Sequence, residues 1–375
     1  MILTLRALTA ISGSYTLDRV SPKQFWETTL PFPRMDRRRI TITAVITILL
    51  GLLIYFQIRE WRDFDWPTFW IQTQQAKLKH VLHGVGYIYI AYLLRAVRWQ
   101  IFLRPVRKTS WTRLLRPTII GFTGLALLGR PGELIRPYLI ARREGLPFSS
   151  QLAVWTVERI FDVGAFTVLM LFAIFGDADL RELSFYPRFR LGGFLLVAGV
   201  AGVSLIAVLV ARLGSRVGDW VELRFSRVNA TLGKALATKV REFGAGLNTI
   251  DGVWAFVQLS IVSVGMWYVI ALAYREVTHS YWVPILQHMT TSHVLLLMGS
   301  SMVGSILQLP AVGGGSQLAT VAALYHIFGV PKELAVSCGM LLWIVTFVAV
   351  VPVGLALAHR EHLSIRKLSK ESAQP

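Results

Sequence analysis

From residue 40 to residue 358, long apolar runs alternate with short polar segments rich in arginine and lysine. A helix rises 1.5 Å per residue, so about 20 apolar residues cross the roughly 30 Å hydrocarbon core of a bilayer. Runs of that size predict spanning helices over 40–58, 82–103, 151–175, 191–211, 252–274 and 334–358. Before them, the short apolar stretch 2–11 is broken by Arg6 and followed by polar sequence, which does not make a signal peptide. Residues 1–39 therefore read as a partly disordered cytoplasmic leader, 40–358 as one transmembrane domain and 359–375 as a basic cytoplasmic tail. In the polar segment 212–250, Val217, Trp220, Val221, Leu223, Phe225 and Val228 are interleaved with arginines, the pattern of an amphipathic segment on the inner membrane surface.

Two stretches depart from this pattern. Residues 117–128 supply only about a dozen apolar positions before Gly129-Arg130-Pro131-Gly132-Glu133, with basic residues on both sides, which predicts a re-entrant helix. Residues 283–330 are interrupted by Pro310 and by Gly313-Gly314-Gly315, followed by Gln317. Broken backbone at membrane depth is tolerated only where protein or a wet cavity satisfies its polar groups. The two stretches align at a constant offset of 184 residues: Gly129 with Gly313, Glu133 with Gln317, Leu134 with Leu318, Gly145 with Gly329 and Pro147 with Pro331. In the orientation set by the basic segments, the helix after Pro147 enters from the cytoplasm and the helix after Pro331 from outside. The expected fold is an all-α polytopic membrane protein with about six full spans plus two broken, re-entrant helix units related as an inverted repeat. In transporters that pattern points to a site near the midplane.

Composition agrees: 54% hydrophobic and 16% charged residues exclude a soluble chain, a secreted disulfide module, a disordered tail and a fibrous repeat. A net charge of +18 raises the question of nucleic acid, but the 39 lysines and arginines cluster between the predicted helices. Arg34, Arg37, Arg38 and Arg39, the segment 104–116, the segment 212–241 and the C-terminal tail carry most of them, whereas the alternate loops balance basic with acidic residues. This is the positive-inside asymmetry, with both termini cytoplasmic, and it assigns the charge to anionic lipid headgroups rather than to nucleic acid. Cys338, the single cysteine, cannot form an intrachain disulfide and reads as packing.

The residues that carry chemistry are ionisable groups inside or beside the apolar segments: Arg130, Glu133, Arg136, Glu158, Arg159 and Asp162. A charge at the bilayer centre costs at least about 2.5 kcal/mol, so these six should face one another or water. Glu133 and Arg136 are three apart, and Glu158 and Asp162 four apart, which puts each pair on one helix face. Two readings stand. One is a structural clamp of three acids and three arginines, locking the re-entrant unit to the next span. The other is a polar pathway in which arginine forks grip the phosphate of an anionic headgroup. Arg95 and Arg98, near the inner end of the second span, read as structural side chains that snorkel to the interface. No histidine sits in a metal-ligand pattern, no nucleophile elbow or phosphate loop is present, and neither cofactor nor enzymatic activity is expected. Trp61, Trp66, Trp70, Trp254, Trp267 and Trp282 read mostly as an interfacial aromatic belt.

The run Gly129-Arg130-Pro131-Gly132-Glu133-Leu134-Ile135-Arg136, then Arg142-Arg143-Glu144-Gly145, Ser149-Ser150-Gln151-Leu152-Ala153 and Val157-Glu158-Arg159-Ile160-Phe161-Asp162, resembles the flippase-like transmembrane region of bacterial lysylphosphatidylglycerol synthases and its stand-alone relatives. The resemblance covers the chain from about residue 40. It implies a multi-pass protein of the bacterial inner membrane that binds or moves lipids, with site residues at Arg130, Gly132, Glu133, Arg136, Glu158, Arg159 and Asp162. The full synthases add a soluble aminoacyltransferase domain, for which the residues after Ala358 leave no room, so lysyl-lipid synthesis is not expected of this chain. Gln317 stands where relatives often carry an acid, which counts against a proton-coupled step in the second half. The expected function is that of a lipid transporter, or flippase-like protein, for an anionic phospholipid or a polyprenyl phosphate. The alternative is a membrane subunit that docks or regulates a cell-envelope enzyme of glycolipid or lipid modification.

Overall fold

The computed structural model describes residues 64–177, 186–226, 234–239, 241, 250, 252–305 and 314–361, and every regular element among them is helical. In chain order these are α1 (Trp66–Gln74), α2 (Leu78–Leu103), α3 (Trp111–Leu128), a 3₁₀ turn (Arg130–Leu134), α4 (Ile135–Glu144), α5 (Phe148–Gly176), α6 (Tyr186–Ser226) and α7 (Gly252–His279). After a single turn at Pro284–Gln287 come α8 (Thr291–Gly304), α9 (Gly314–His326), α10 (Lys332–Trp343), a π-helical turn (Ile344–Val348) and α11 (Val351–Arg360). The described residues from Asp65 onward form one unit. The expected span 40–58, the leader, and most of the basic tail lie outside the described residues.

By length and apolar composition, three stretches among the described residues can cross a bilayer: Phe148–Gly176, Gly252–His279 and Lys332–Arg360. Each contains a predicted span and extends it by one to five residues at one end or both. The predicted span 82–103 is also one unbroken helix, α2, but the arginines inside it make it less apolar. The span 191–211 lies within α6, whose 41 residues run on into the segment read as a separate surface element. No proline interrupts 191–226, so nothing in that sequence forces a break at residue 211. On the spanning helices, large apolar side chains such as Phe172, Val253 and Ile261 stay exposed, as lipid-facing surfaces require.

The first broken unit is longer than its apolar run. Ser110 caps α3 by accepting from the Thr112 amide at 3.3 Å, and Pro117 is absorbed inside the helix, so α3 has 18 residues rather than a dozen. It ends at Gly129, whose φ of 69° only glycine adopts cheaply, and the chain doubles back through the 3₁₀ turn into α4. Closure depends on missing side chains: a Cβ on Gly132 would strike the backbone of Gly124, and one on Gly121 would strike Arg136. The second unit closes the same way, since a Cβ on Gly304 would meet the carbonyl of Gly315 and the side chain of Ala319. Small residues are the means by which helix backbones approach closely in lipid.

Gly145 and Gly329, paired in the sequence alignment, have φ of 66° and 67°. Each is followed two residues later by a proline, Pro147 or Pro331, that caps the next helix. The exit from both units is thus built alike. Of the second Gly-rich break, Pro310 and Gly313 lie outside the described residues, while Gly314 opens α9 with φ 58°, and Gly315 and Gln317 are half-buried in its first turns.

The π-helical turn divides the last span. Just after it the Tyr89 hydroxyl donates to Ala349 O at 3.1 Å, while Val350 O accepts the Gly354 amide at 2.9 Å with the Thr123 hydroxyl at 3.3 Å. Placing Ala at Gly132 should open the first hairpin at a cost of about 1–3 kcal/mol from overpacking. Thermal unfolding of the detergent-purified protein should fall by several degrees for Gly132→Ala, whereas Gly86→Ala, where nothing lies within 4 Å of the added Cβ, should leave it unchanged.

Candidate functional site

Glu158, on α5, is fully buried and holds two arginines from two other helices. Arg136 on α4 takes both of its oxygens, donating through Nη1 to Oε1 at 2.9 Å and through Nη2 to Oε2. Arg98 on α2 donates through Nη2 to Glu158 Oε1 and through Nη1 to Asp162 Oδ1 at 2.7 Å, with Ser263 Oγ at 3.1 Å. Asp162 also receives the Trp267 indole N–H on Oδ1 at 3.1 Å. The i,i+4 spacing of Glu158 and Asp162 is what lets one guanidinium bridge them. Aromatic faces cover the arginines: Arg136 lies 4.5 Å from the Trp99 ring, Arg95 lies 4.7 Å from Phe122 and Arg159 lies 5.6 Å from Trp155.

This corrects the sequence reading of Arg95 and Arg98. They do not snorkel: Arg98 is fully buried and Arg95 nearly so. The helix continues to Leu103, so both arginines sit at least a turn inside its end, and their counter-charges come from α5 rather than from water. Trp267 likewise points inward instead of joining an interfacial belt, while Trp66, Trp70, Trp254 and Trp282 are exposed. The expected Glu133–Arg136 pair gives way to Arg136–Glu158, and Glu133 instead lies 3.8 Å from Arg130.

A cavity of about 330 Å³ opens beside this network, within the size range of small-molecule sites. Its charged wall is Arg95, Arg130, Glu133, Arg159 and Asp162, from α2, the 3₁₀ turn and α5. The opposite wall comes from α7, α8, α9 and the π-helical turn, and its polar groups are hydroxyls: Tyr274, Ser301, Ser305, Ser316 and Thr346. Gln317 adjoins a small recess with Ser301, Ser316 and Thr320 on that side. Arg130 ties the two broken units together, donating through Nη2 to Ser305 O, the carbonyl that ends α8, at 2.8 Å. Gly132 is buried in the hairpin contact and does not line the cavity.

The arginines divide by exposure. Arg98 and Arg136 are buried and tied to carboxylates, whereas the Arg159 and Arg130 side chains are 40% and 52% exposed. Arg95 Nη1, Arg159 Nε and Asp162 Oδ2 are buried without a hydrogen-bond partner, although Oδ2 lies 3.4 Å from Arg159 Nη2 and 3.9 Å from Arg95 Nη1. Counting the network and the cavity wall together, five arginines (95, 98, 130, 136 and 159) meet three carboxylates (133, 158 and 162); on the wall itself three arginines (95, 130 and 159) stand against two carboxylates (133 and 162), a formal surplus of one positive charge.

Over residues 40–354 the chain matches the family described as the lysylphosphatidylglycerol synthase TM region. The chain belongs to that family. No curated protein and no solved structure matched the chain in the corresponding searches. Membership makes this a membrane protein, and the matched residues contain the whole charged network and both broken units. The match is to the transmembrane region of the synthases and includes no catalytic domain.

The geometry separates supporting from accessible charges, and stability should follow it. Arg98→Ala leaves Glu158 and Asp162 short of a buried counter-charge, a loss of about 3–5 kcal/mol. Arg159→Ala removes a partly exposed partner worth no more than about 1 kcal/mol. Thermal unfolding in detergent should therefore show a large drop for the first and a small one for the second.

Proposed function

We propose that this chain binds, and moves across the bilayer, a lipid with an anionic headgroup, an anionic phospholipid or a polyprenyl phosphate. The observation that carries the reading is the positive wall of a cavity between the broken-helix units, where three arginines stand against two carboxylates. A clamp alone calls for balance, because uncompensated charge away from water is expensive. A phosphate supplies the missing negative charge. Arg130 and Arg159 have the exposure to grip it bidentately, with Arg95 behind them, and Glu133 and Asp162 orient the forks. The hydroxyl wall takes the neutral polar part of the headgroup, while acyl or prenyl chains remain in lipid. Gly132 acts by permitting the hairpin rather than by contact.

The two broken units then act as an inverted pair that exposes the cavity to one leaflet and then the other, in a protein of the bacterial inner membrane with its basic face and both termini in the cytoplasm. Glu133 and Asp162 are the acids available for a proton-linked step, since Gln317 occupies the corresponding place in the second unit. Synthesis of the lipid is not part of this proposal.

Native mass spectrometry of the protein released from mild detergent tests the reading. Wild type should retain a specific anionic lipid, and Arg130→Ala and Arg159→Ala should lose most of it while unfolding at nearly the wild-type temperature. In reconstituted vesicles the same variants should abolish headgroup translocation. Equal retention of bulk lipid in all three proteins, with no headgroup translocation by the wild type, would overturn the proposal and favour the enzyme-docking subunit.

A further inference from the structure

The helix pair α2 and α7 carries a second cluster, apart from the cavity. His80 and His83 are one turn apart on α2, and both turn Nδ1 toward the same atom, Glu276 Oε2 on α7, at 2.7 and 3.4 Å. The three ligand atoms lie within 4.8 Å of one another. None of the three residues lines the cavity. Sequence reading missed the set because the carboxylate is 196 residues from His80.

We propose that His80, His83 and Glu276 bind one divalent transition-metal ion of the zinc type, with water completing the coordination. Two imidazole nitrogens and one carboxylate oxygen are the donor set of an open zinc site. At ordinary bond lengths the donors of a tetrahedral zinc ion stand about 3.4 Å apart. The His83–Glu276 separation of 3.4 Å already matches, His80 at 2.7 Å would withdraw to admit the ion, and all three donor atoms lie within 4.8 Å of one another. A single histidine suffices for an ion pair with Glu276. Convergence of two on one oxygen is what a metal exploits, and nitrogen donors favour zinc, nickel or copper over calcium or magnesium.

The site is preorganised and reachable. Gly84, next to His83, lets α2 approach α7 so closely that an added Cβ would lie 3.3 Å from the carbonyl of Ala273. One turn earlier, the Lys77 amide donates to Ser280 O at 2.9 Å, pinning the start of α2 to the end of α7. The ligand side chains are 24–51% exposed, which leaves an ion a way in. Removing a partly exposed histidine opens no core hole, so variants should fold.

The test uses the full chain purified in detergent without a histidine tag, stripped with chelator and titrated with Zn²⁺ by calorimetry. Wild type should bind one ion, and His83→Ala and Glu276→Gln should bind it more weakly by at least the about tenfold that even outer-shell losses cost. With Cu²⁺ instead, the electron paramagnetic resonance spectrum of wild type should show coupling to two nitrogens, falling to one in His83→Ala. Absence of Zn²⁺ binding by wild type, or equal binding by wild type and both variants, would overturn the proposal and leave the cluster as a hydrogen-bonded ion pair. Neither readout involves lipid, so failure here leaves the headgroup site untouched.

Discussion

The structure depends on one carboxylate. Glu158 is fully buried, and α2 and α4 both commit an arginine to it, so α2 meets the consecutive helices α4 and α5 at a single charged point. A buried ion is tolerable only if it is fully partnered, so the positions of α2, α4 and α5 cannot drift independently. The glycines serve the same end. Without a side chain at Gly121, α3 lies against the backbone of Arg136, and only from that close position does its guanidinium reach Glu158 with both nitrogens. Hairpin closure and charge satisfaction are one requirement expressed at two levels, packing and electrostatics.

From this follows an asymmetry between the two broken units. Both close through glycine, and both leave through a left-handed glycine and a capping proline. The first nevertheless brings charge to the cavity and the second brings hydroxyls. At the π-helical turn of the second unit's span, Ala349 O is met by Tyr89 from α2, and Val350 O keeps its helical partner, the Gly354 amide, with Thr123 from α3 beside it.

Much of this was legible in the residue pattern. The apolar runs located α2, α5, α7 and the last span to within five residues, because a bilayer imposes a length that composition records directly, whereas α6 runs fifteen residues beyond its predicted end. The run from Gly129 to Asp162 marked the charged cluster, because ionisable residues inside apolar sequence have few places to go. What escaped was everything that needed a partner from afar. Arg98 sits five residues from the end of its helix, where snorkelling is a sound expectation, and its acids are 60 and 64 residues further along. The inward turn of Trp267 and the meeting of His80, His83 and Glu276 were hidden for the same reason. The length of α3 was underestimated because its apolar run starts at Pro117, whereas the helix begins six residues earlier, at Trp111 in the basic segment, and carries the proline inside it at the loss of one helical hydrogen bond.

Adding Arg95 and Arg98 to the network changes what it can be. From sequence the cluster was three acids and three arginines, neutral and complete in itself. With two more arginines and no further acid it is a clamp with charge to spare. The two readings are then different parts of one object. Arg98, Arg136 and Glu158 are saturated by each other and hold the helices, while Arg159 and Arg130 are held in place by that frame and still face open space. The headgroup proposed above would meet donors already oriented, so little binding energy would be lost to ordering them. In such a site the buried ion pairs act on the ligand through the geometry they impose on their accessible neighbours.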